Sequence, residues 1–435
     1  MLLPNTSEFG KFTEIYIGIP EVNIQNGKKI CFFTENYYKG GLDTFLINLF
    51  NAWPDLKDEL TLVCNGTHSG LDTIQAKTLR SIKIEKYYRV FTCTIVQGLS
   101  ALKWSRSFPV RAFFVLAFRL LQYPILFPWY VFTLMLFFRR NNYDRLMVVN
   151  GGYPASLLCR SAVIAWFLAG KRPLAVMNFH NSTTCPPWHD SFFEYVIDTL
   201  VIRAVTSVVS VSKDCLDSLK NRHAFVGCAK LSYIYNGIEN PTRLLKAFSA
   251  TTENESPLGR YCLMLATYET RKGHAYLLQA FQMVVKDFPN VQLQIYGHGR
   301  PHEKKRVADE VKRLKLEKNV TLGDFMPDTA ALLAGASVLV VPSQAYESFG
   351  LTIIEAMAFG VPVVTTDVGG MPEVLGDSKA GYVCSKDVPM EFAVAIKNIL
   401  GNPALASELG RCGRQAFERR FMAGTMAINY RKLLE

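Results

Sequence analysis

The sequence predicts an α/β chain built from two doubly wound parallel sheets, and three observations carry that prediction. Short apolar runs alternate with stretches of helical periodicity along most of the chain. The alternation is interrupted by a polar stretch at 250–257 (ATTENESP) and then restarts. The length, 435 residues, suits two or three domains at roughly 100–200 residues each.

Taken in order, 28–35 (KKICFFTE) has the composition of a buried strand. Gly40 and Gly41 follow, and then Leu42, Phe45, Leu46, Leu49 and Phe50 recur at helical spacing. Further strands are expected at 60–64, 146–150, 174–179, 207–211 and 230–235. Between them, helices are expected at 155–169 and 213–220. After the polar stretch, strands are expected at 261–266, 291–296, 320–322, 338–341 and 361–365. Helices belong at 275–288, 302–314, 329–334, 352–359 and 389–400, with a last helical stretch over 405–434. The resulting division is a first domain over 1–249, a linker at 250–257, a second domain over 258–416 and a final helix at 417–435.

Composition narrows the class. Hydrophobic residues make up 49% and charged residues 20%, which disfavours extended disorder or a fibre. Ten scattered cysteines with no C-x-x-C pair read as reduced, buried thiols. The first sixteen residues lack the charge and apolar pattern of a signal peptide, so a cytoplasmic protein is expected.

The net charge of +11 is concentrated. Between 77 and 140 lie eleven basic residues and one acid, Glu85, so that window carries nearly the whole surplus. It encloses an aromatic, apolar stretch at 108–138 broken by Pro109, Pro124 and Pro128. Prolines disfavour a straight spanning helix, whereas flanking arginines with Trp129 and Tyr130 favour a segment lying in the membrane interface. A buried helical hairpin is the competing reading. An anionic membrane surface is the expected partner of this window, and its long apolar interleaving argues against nucleic acid.

The chemistry concentrates at 342–375 (PSQAYESFGLTIIEAMAFGVPVVTTDVGGMPEVL). A strand ends at Pro342, a loop presents Glu347, and a helix opens near Thr352. Ligands of parallel sheets bind beyond the carboxyl ends of strands, where this loop would lie. Free N–H groups of Gly350, Leu351 and Thr352 at the helix start suit a phosphate. Glu355, on the first turn, could reach vicinal hydroxyls such as those of a ribose, while Glu347 could face a sugar.

This stretch closely resembles the E-x7-E signature of the family 4 retaining glycosyltransferases, from Glu347 to Glu355 and through E-A-M-A-F-G-V-P-V-V and G-G-M-P-E-V. Arg271-Lys272-Gly273 resembles the family's Lys-Gly turn, which implies Lys272 on the donor diphosphate. Where the family commonly has Gly-Arg, this chain has Ala266-Thr267, which leaves Arg271 as the candidate second cation. Gly40-Gly41 resembles the family's N-terminal glycine loop, Gly297 its glycine turn along the cleft, and His180 its strand-end histidine facing the sugar. His180 is followed by Asn181 rather than the more usual aspartate. Tyr235-Asn236-Gly237-Ile238 resembles the turn that closes the first domain, and Ser212 the family's strand-end serine.

The resemblance implies the GT-B architecture, two Rossmann-like domains facing across a cleft, with a nucleotide-sugar on the second domain. The implied reaction is transfer of a sugar from a UDP- or GDP-sugar to a glycan or lipid-linked acceptor, with retention. It would need no metal and no cofactor beyond the donor, and would act on the cytoplasmic face of a membrane in cell-surface polysaccharide or glycoconjugate assembly. The implied catalytic residues are Glu347, His180 and Lys272. The implied donor-binding residues are Glu355, Arg271, Gly350, Leu351, Thr352, Gly40, Gly41 and Gly297. A nucleotide-sugar epimerase on the same fold and a catalytically inactive membrane-bound relative remain the alternatives.

Overall fold

The computed structural model describes residues 27–37, 39–87, 121–241 and 261–435. The expected linker at 250–257 and the 88–120 part of the basic window lie outside them.

The first sheet has the order β3-β2-β1-β4-β5-β6-β7 and every pairing is parallel. Its strands are β1 (Lys29–Thr34), β2 (Glu59–Asn65), β3 (Lys83–Tyr87), β4 (Arg145–Asn150), β5 (Ala175–Phe179), β6 (Val205–Ser210) and β7 (Leu231–Tyr233). The second sheet, β10-β9-β8-β11-β12-β13, is parallel too. Its strands are β8 (Tyr261–Leu265), β9 (Gln292–Tyr296), β10 (Val320–Gly323), β11 (Val338–Val341), β12 (Val363–Thr366) and β13 (Gly381–Cys384). Buried on both faces, the central strands carry unbroken apolar runs: in β1, Ile30 to Phe33 are fully buried.

Helices connect the strands. In the first domain these are α1 (Gly41–Asn51), α2 (Leu71–Lys77), α3 (Phe127–Arg140), α4 (Leu157–Leu168), α5 (Ser191–Ala204) and α6 (Lys213–Asp217). In the second they are α7 (His274–Asp287), α8 (Pro301–Arg313), α9 (Ala330–Gly335), α10 (Leu351–Ala358), α11 (Met371–Leu375), α12 (Pro389–Gly401) and α13 (Pro403–Arg420). The two sheets are two Rossmann-like units, as the alternation of strands and helices implied.

The stretch expected as one helix over 405–434 is broken. The ladder stops at Phe421, and Met422 forms a β-bridge with Ile238 instead. Ile238 N–H donates to the Phe421 carbonyl at 3.0 Å and Ala423 N–H to the Ile238 carbonyl at 2.9 Å. Gly237 is required there, because a Cβ would stand 2.5 Å from the Met422 carbonyl oxygen. The chain then continues as α14 (Ala423–Leu433), which packs on α1. Tyr430 Oη accepts from Asn178 Nδ2 at 2.7 Å, and Met426, Ala427 and Tyr430 join the core under the first sheet.

The described part of the basic window divides its faces. A π-helical turn at Gln122–Leu126 leads into α3, whose Tyr130, Val131, Leu134 and Phe138 are buried against α4. That cover explains why α4 is buried almost all round, with Trp166, Ile164 and Cys159 enclosed and Arg160 paired with Glu194. The opposite face of α3 is exposed. Among the described residues no helix is long and apolar enough to cross a membrane.

Candidate active site

Each sheet reverses its strand order once, between β1 and β4 in the first and between β8 and β11 in the second. The crevice at such a switch point is open because the flanking connections leave in opposite directions. Here the two crevices face each other and enclose a cavity of about 690 Å³. Glu35 beyond β1, Asn150 at the end of β4, Ala266 beyond β8 and Pro342 beyond β11 all line it.

On the second domain, Lys272 and Arg271 come from the turn before α7. Gly273 holds a left-handed φ of 79°, and a Cβ would lie 1.8 Å from the Pro342 carbonyl oxygen, so only glycine lets this turn press against the β11 loop. Gln344 N–H donates to the Arg271 carbonyl at 2.7 Å and ties the two loops together. Lys272 Nζ donates to Glu347 Oε2. Arg271 Nη1 lies 3.8 Å from the same oxygen, while its Nε donates to Glu269 at 2.7 Å. Glu347 is positioned from beneath: Gly370 N–H donates to its carbonyl at 2.8 Å, and Gly369, at φ 59°, has no room for a Cβ beside it.

The loop then turns through Gly350, φ 87°, into α10. Gly350, Leu351 and Thr352 all line the cavity, so the start of α10 points its unpaired N–H groups at the space beside Lys272. Glu355 is partly buried one turn further on and is not among the lining residues. It makes no hydrogen bond or ion pair to another described side chain, and burial pushes its carboxyl up to about 7. Gly297 also lies behind the lining, because its role is a close approach: a Cβ would stand 1.8 Å from the Ala266 carbonyl oxygen. Thr267, standing where an arginine is common, donates to Glu269 at 3.0 Å.

The first domain supplies the opposite wall. Gly40 and Gly41 line it, and a Cβ on Gly41 would meet Leu351 Cδ1 at 3.3 Å, so the glycine loop and α10 approach closely. His180 lines the cavity with its ring edge-on to Phe45 at 4.4 Å. Burial drives its pKa down to about 3, so the imidazole is neutral, and its Nε2 has no partner among the described residues. Hydrogen bonding to a sugar hydroxyl suits such a group; cationic catalysis at neutral pH does not.

Three further features were not singled out from the sequence. Glu35 receives a hydrogen bond from Tyr37 Oη at 2.7 Å and another from Ser156 Oγ, and burial raises its carboxyl pKa. Its position, an acid closing an apolar strand in 28–35, is the signal that could have found it. Ser348 bridges the domains: its Oγ accepts from Ser182 N–H at 3.1 Å and its carbonyl from Ser212 Oγ at 2.6 Å. Glu373 accepts from Lys213 N–H, Asp214 N–H and Tyr235 Oη at 2.7, 3.0 and 2.8 Å.

Residues 243–416 match the family described as Glycosyl transferases group 1. The chain is 33% identical over 168 residues to a phosphatidyl-myo-inositol mannosyltransferase of Mycobacterium tuberculosis, covering 37% of this chain and 43% of that one. It is 26% identical over 235 residues to a glycogen synthase of the same organism, covering 54% and 55%. The chain thus spans about half the length, or less, of these curated relatives. In structure it is similar to a glycosyltransferase of Rickettsia africae (TM-score 0.71, 16% identity, 94% of this chain and 98% of that one). It is also similar to the Anabaena protein HepE in complex with UDP (TM-score 0.65, 17% identity, 93% and 99%). At such identities the likeness is one of fold.

Proposed function

We propose, for a chain whose residues 243–416 match the glycosyl transferases group 1, that it moves a sugar from a nucleotide-sugar to an acceptor hydroxyl with retention of configuration. The observation that carries this reading is the convergence of Lys272, Arg271 and the N–H groups of residues 350–352 on one side of a cavity whose other wall holds Gly40, Gly41 and His180.

The diphosphate of a UDP- or GDP-sugar occupies the second-domain wall. Lys272, Arg271 and the start of α10 offset the charge that develops as the bond from the anomeric carbon to the phosphate oxygen breaks, without a metal. Glu355 accepts from the ribose hydroxyls. Glu347 and the neutral imidazole of His180 hold the sugar hydroxyls. The acceptor oxygen forms the new bond on the face the diphosphate leaves, and its proton passes to the departing phosphate oxygen. The cavity walls supply positioning rather than a nucleophile.

The acceptor is a glycan or lipid-linked species presented at the cytoplasmic face of a membrane, in the setting of cell-surface polysaccharide or glycoconjugate assembly. The basic window at 77–140 supports this, since anionic headgroups attract about 1 kcal/mol per nearby Lys or Arg. Incubation with a panel of nucleotide-sugars, with and without membrane lipid extract, tests the reading through release of nucleoside diphosphate. Release from one donor, lost in Glu355→Ala and Lys272→Ala, supports it. An epimerised donor formed without acceptor would indicate the epimerase, and silence with no ligand-induced rise in melting temperature the inactive relative.

A further inference from the structure

Nine of the twenty large apolar side chains that the described residues expose fall in two short stretches, 121–132 and 188–196. Such concentration is not the scattered exposure of an ordinary surface. In the first stretch Leu121, Ile125, Trp129 and Phe132 are about half exposed and recur every three or four residues, which sets them along one face of the π-turn and α3. In the second, Trp188 is 89% and Phe192 73% exposed at the start of α5.

The two stretches form one ridge. Tyr123 stacks on Phe193 with ring centres 5.1 Å apart and planes 2° from parallel, and its Oη donates to Glu194 at 2.9 Å. The ridge also has a defined place relative to the cavity. A helix that precedes a parallel strand runs antiparallel to it, so the start of α3 lies at the carboxyl edge of the first sheet. The start of α5 lies there too, and Trp188 just ahead of it is eight residues after the cavity-lining His180. The adjoining sequence at 88–120 carries five basic residues and no acid, and it runs directly into Leu121.

We infer that this ridge is the surface by which the protein docks on an anionic bilayer, with the cavity mouth held beside the lipid headgroups. Trp and Tyr favour the headgroup level, exposed Phe, Ile and Leu favour the acyl boundary, and the basic stretch complements the lipid charge. The inference deepens the membrane-presented acceptor of the proposed function and names the surface that reaches it.

Vesicle co-sedimentation tests it, using phosphatidylglycerol–phosphatidylcholine vesicles and pure phosphatidylcholine vesicles with the full chain. Binding to the anionic vesicles is expected, weakened about tenfold or more on the neutral ones. The double variant Trp188→Ser, Phe192→Ser is expected to lose about tenfold in binding. Should that variant not fold, Trp188→Phe keeps the test: brominated lipid quenches tryptophan fluorescence in the wild type, and that quenching falls in the variant. Absence of vesicle binding, binding unchanged in the double variant, quenching unchanged in Trp188→Phe, or a wild-type dimer dispersed by the double variant would each overturn the inference. Acceptor-free donor hydrolysis, measured in the same preparations, separates the two readings. Vesicle binding without any donor turnover removes the transferase and leaves the ridge; turnover without vesicle binding does the reverse.

Discussion

Lys272 Nζ donates to Glu347 Oε2, so the cation expected on the leaving diphosphate is held by a carboxylate of the same site. Both side chains are mostly buried, at 16% and 18% exposure, yet both line the cavity. A bound diphosphate has to compete with Glu347 for Lys272. Two opposite effects follow. Lys272→Ala should lower turnover by about 10²–10³, the usual loss on removing a group that meets transition-state charge. Glu347→Gln should lower turnover as well, but tighten binding of the bare nucleoside diphosphate by roughly two- to fivefold, the value of a partly exposed pair at 0.5–1 kcal/mol. Titration calorimetry reads the second effect, and weaker nucleotide binding in Glu347→Gln would show that no such competition exists.

Glu355 gives the site a pH dependence. Its carboxyl titrates near 7 because burial disfavours the charge. Ribose hydroxyls donate to the ionised form, so donor affinity should rise about tenfold between pH 6 and 8 as the ionised fraction grows. In Glu355→Gln the profile should be flat. Folding stability runs the other way. A folded pKa raised from 4.5 contributes stability that is complete below 4.5 and lost as pH rises through 7. The glutamine variant should therefore gain on the wild type between pH 5 and 8, by on the order of 1–3 kcal/mol. Urea unfolding at the two pH values checks the sign.

Glu35 faces the donor wall from the end of β1. Its two oxygens take hydrogen bonds from Tyr37 and Ser156, which fix the carboxylate while leaving lone pairs free for an acceptor hydroxyl. Glu35→Gln should cut transfer to acceptor by about 10²-fold, in the range of lost positioning. Acceptor-free hydrolysis of the donor should stay within a factor of about two. Equal loss of both rates would place Glu35 in donor binding instead.

Legibility in the sequence follows burial. The central strands were plain because two covered faces make an unbroken apolar run, as in KICFFT of β1. Two of the four edge strands were not: β3, with sequence KIEKY, alternates charge and apolar side chains at the sheet margin, and β13 (GYVC) is four residues long. The helix α5 escaped notice because its buried positions include Glu194 and Asp198, which read as surface residues until Arg160 and Arg222 are seen to neutralise them. In the site, short-range features such as the Glu347 loop and the start of α10 are written in consecutive residues. Contacts that join distant segments, like Ser212 with Ser348, have no local pattern to betray them.

Glu373 makes the most concentrated of those long-range contacts. From α11 of the second domain it accepts two backbone N–H groups at the start of α6 and the Tyr235 hydroxyl, all on the first domain. Arg420 steadies the arrangement, donating to the Glu373 carbonyl at 3.3 Å while its guanidinium lies 4.9 Å from the Tyr235 ring centre. Hydrogen bonds to a charged acceptor are worth about 1.5–3 kcal/mol each, and three converge here on one carboxylate. The same closure sets the distance between Gly41 and Leu351, across which the donor must be gripped. Glu373→Ala should therefore open the cleft in the unliganded protein, raising the radius of gyration in small-angle scattering. It should also raise the donor KM about tenfold while changing kcat less, because binding then has to drive closure. Tyr235→Phe, which removes one of the three donors and keeps the ring, should give a smaller shift in the same direction. Scattering curves that superimpose for wild type and Glu373→Ala would mean that closure is held by the Tyr235, Phe349 and Phe421 rings instead, packed 5.6–6.1 Å apart between the domains.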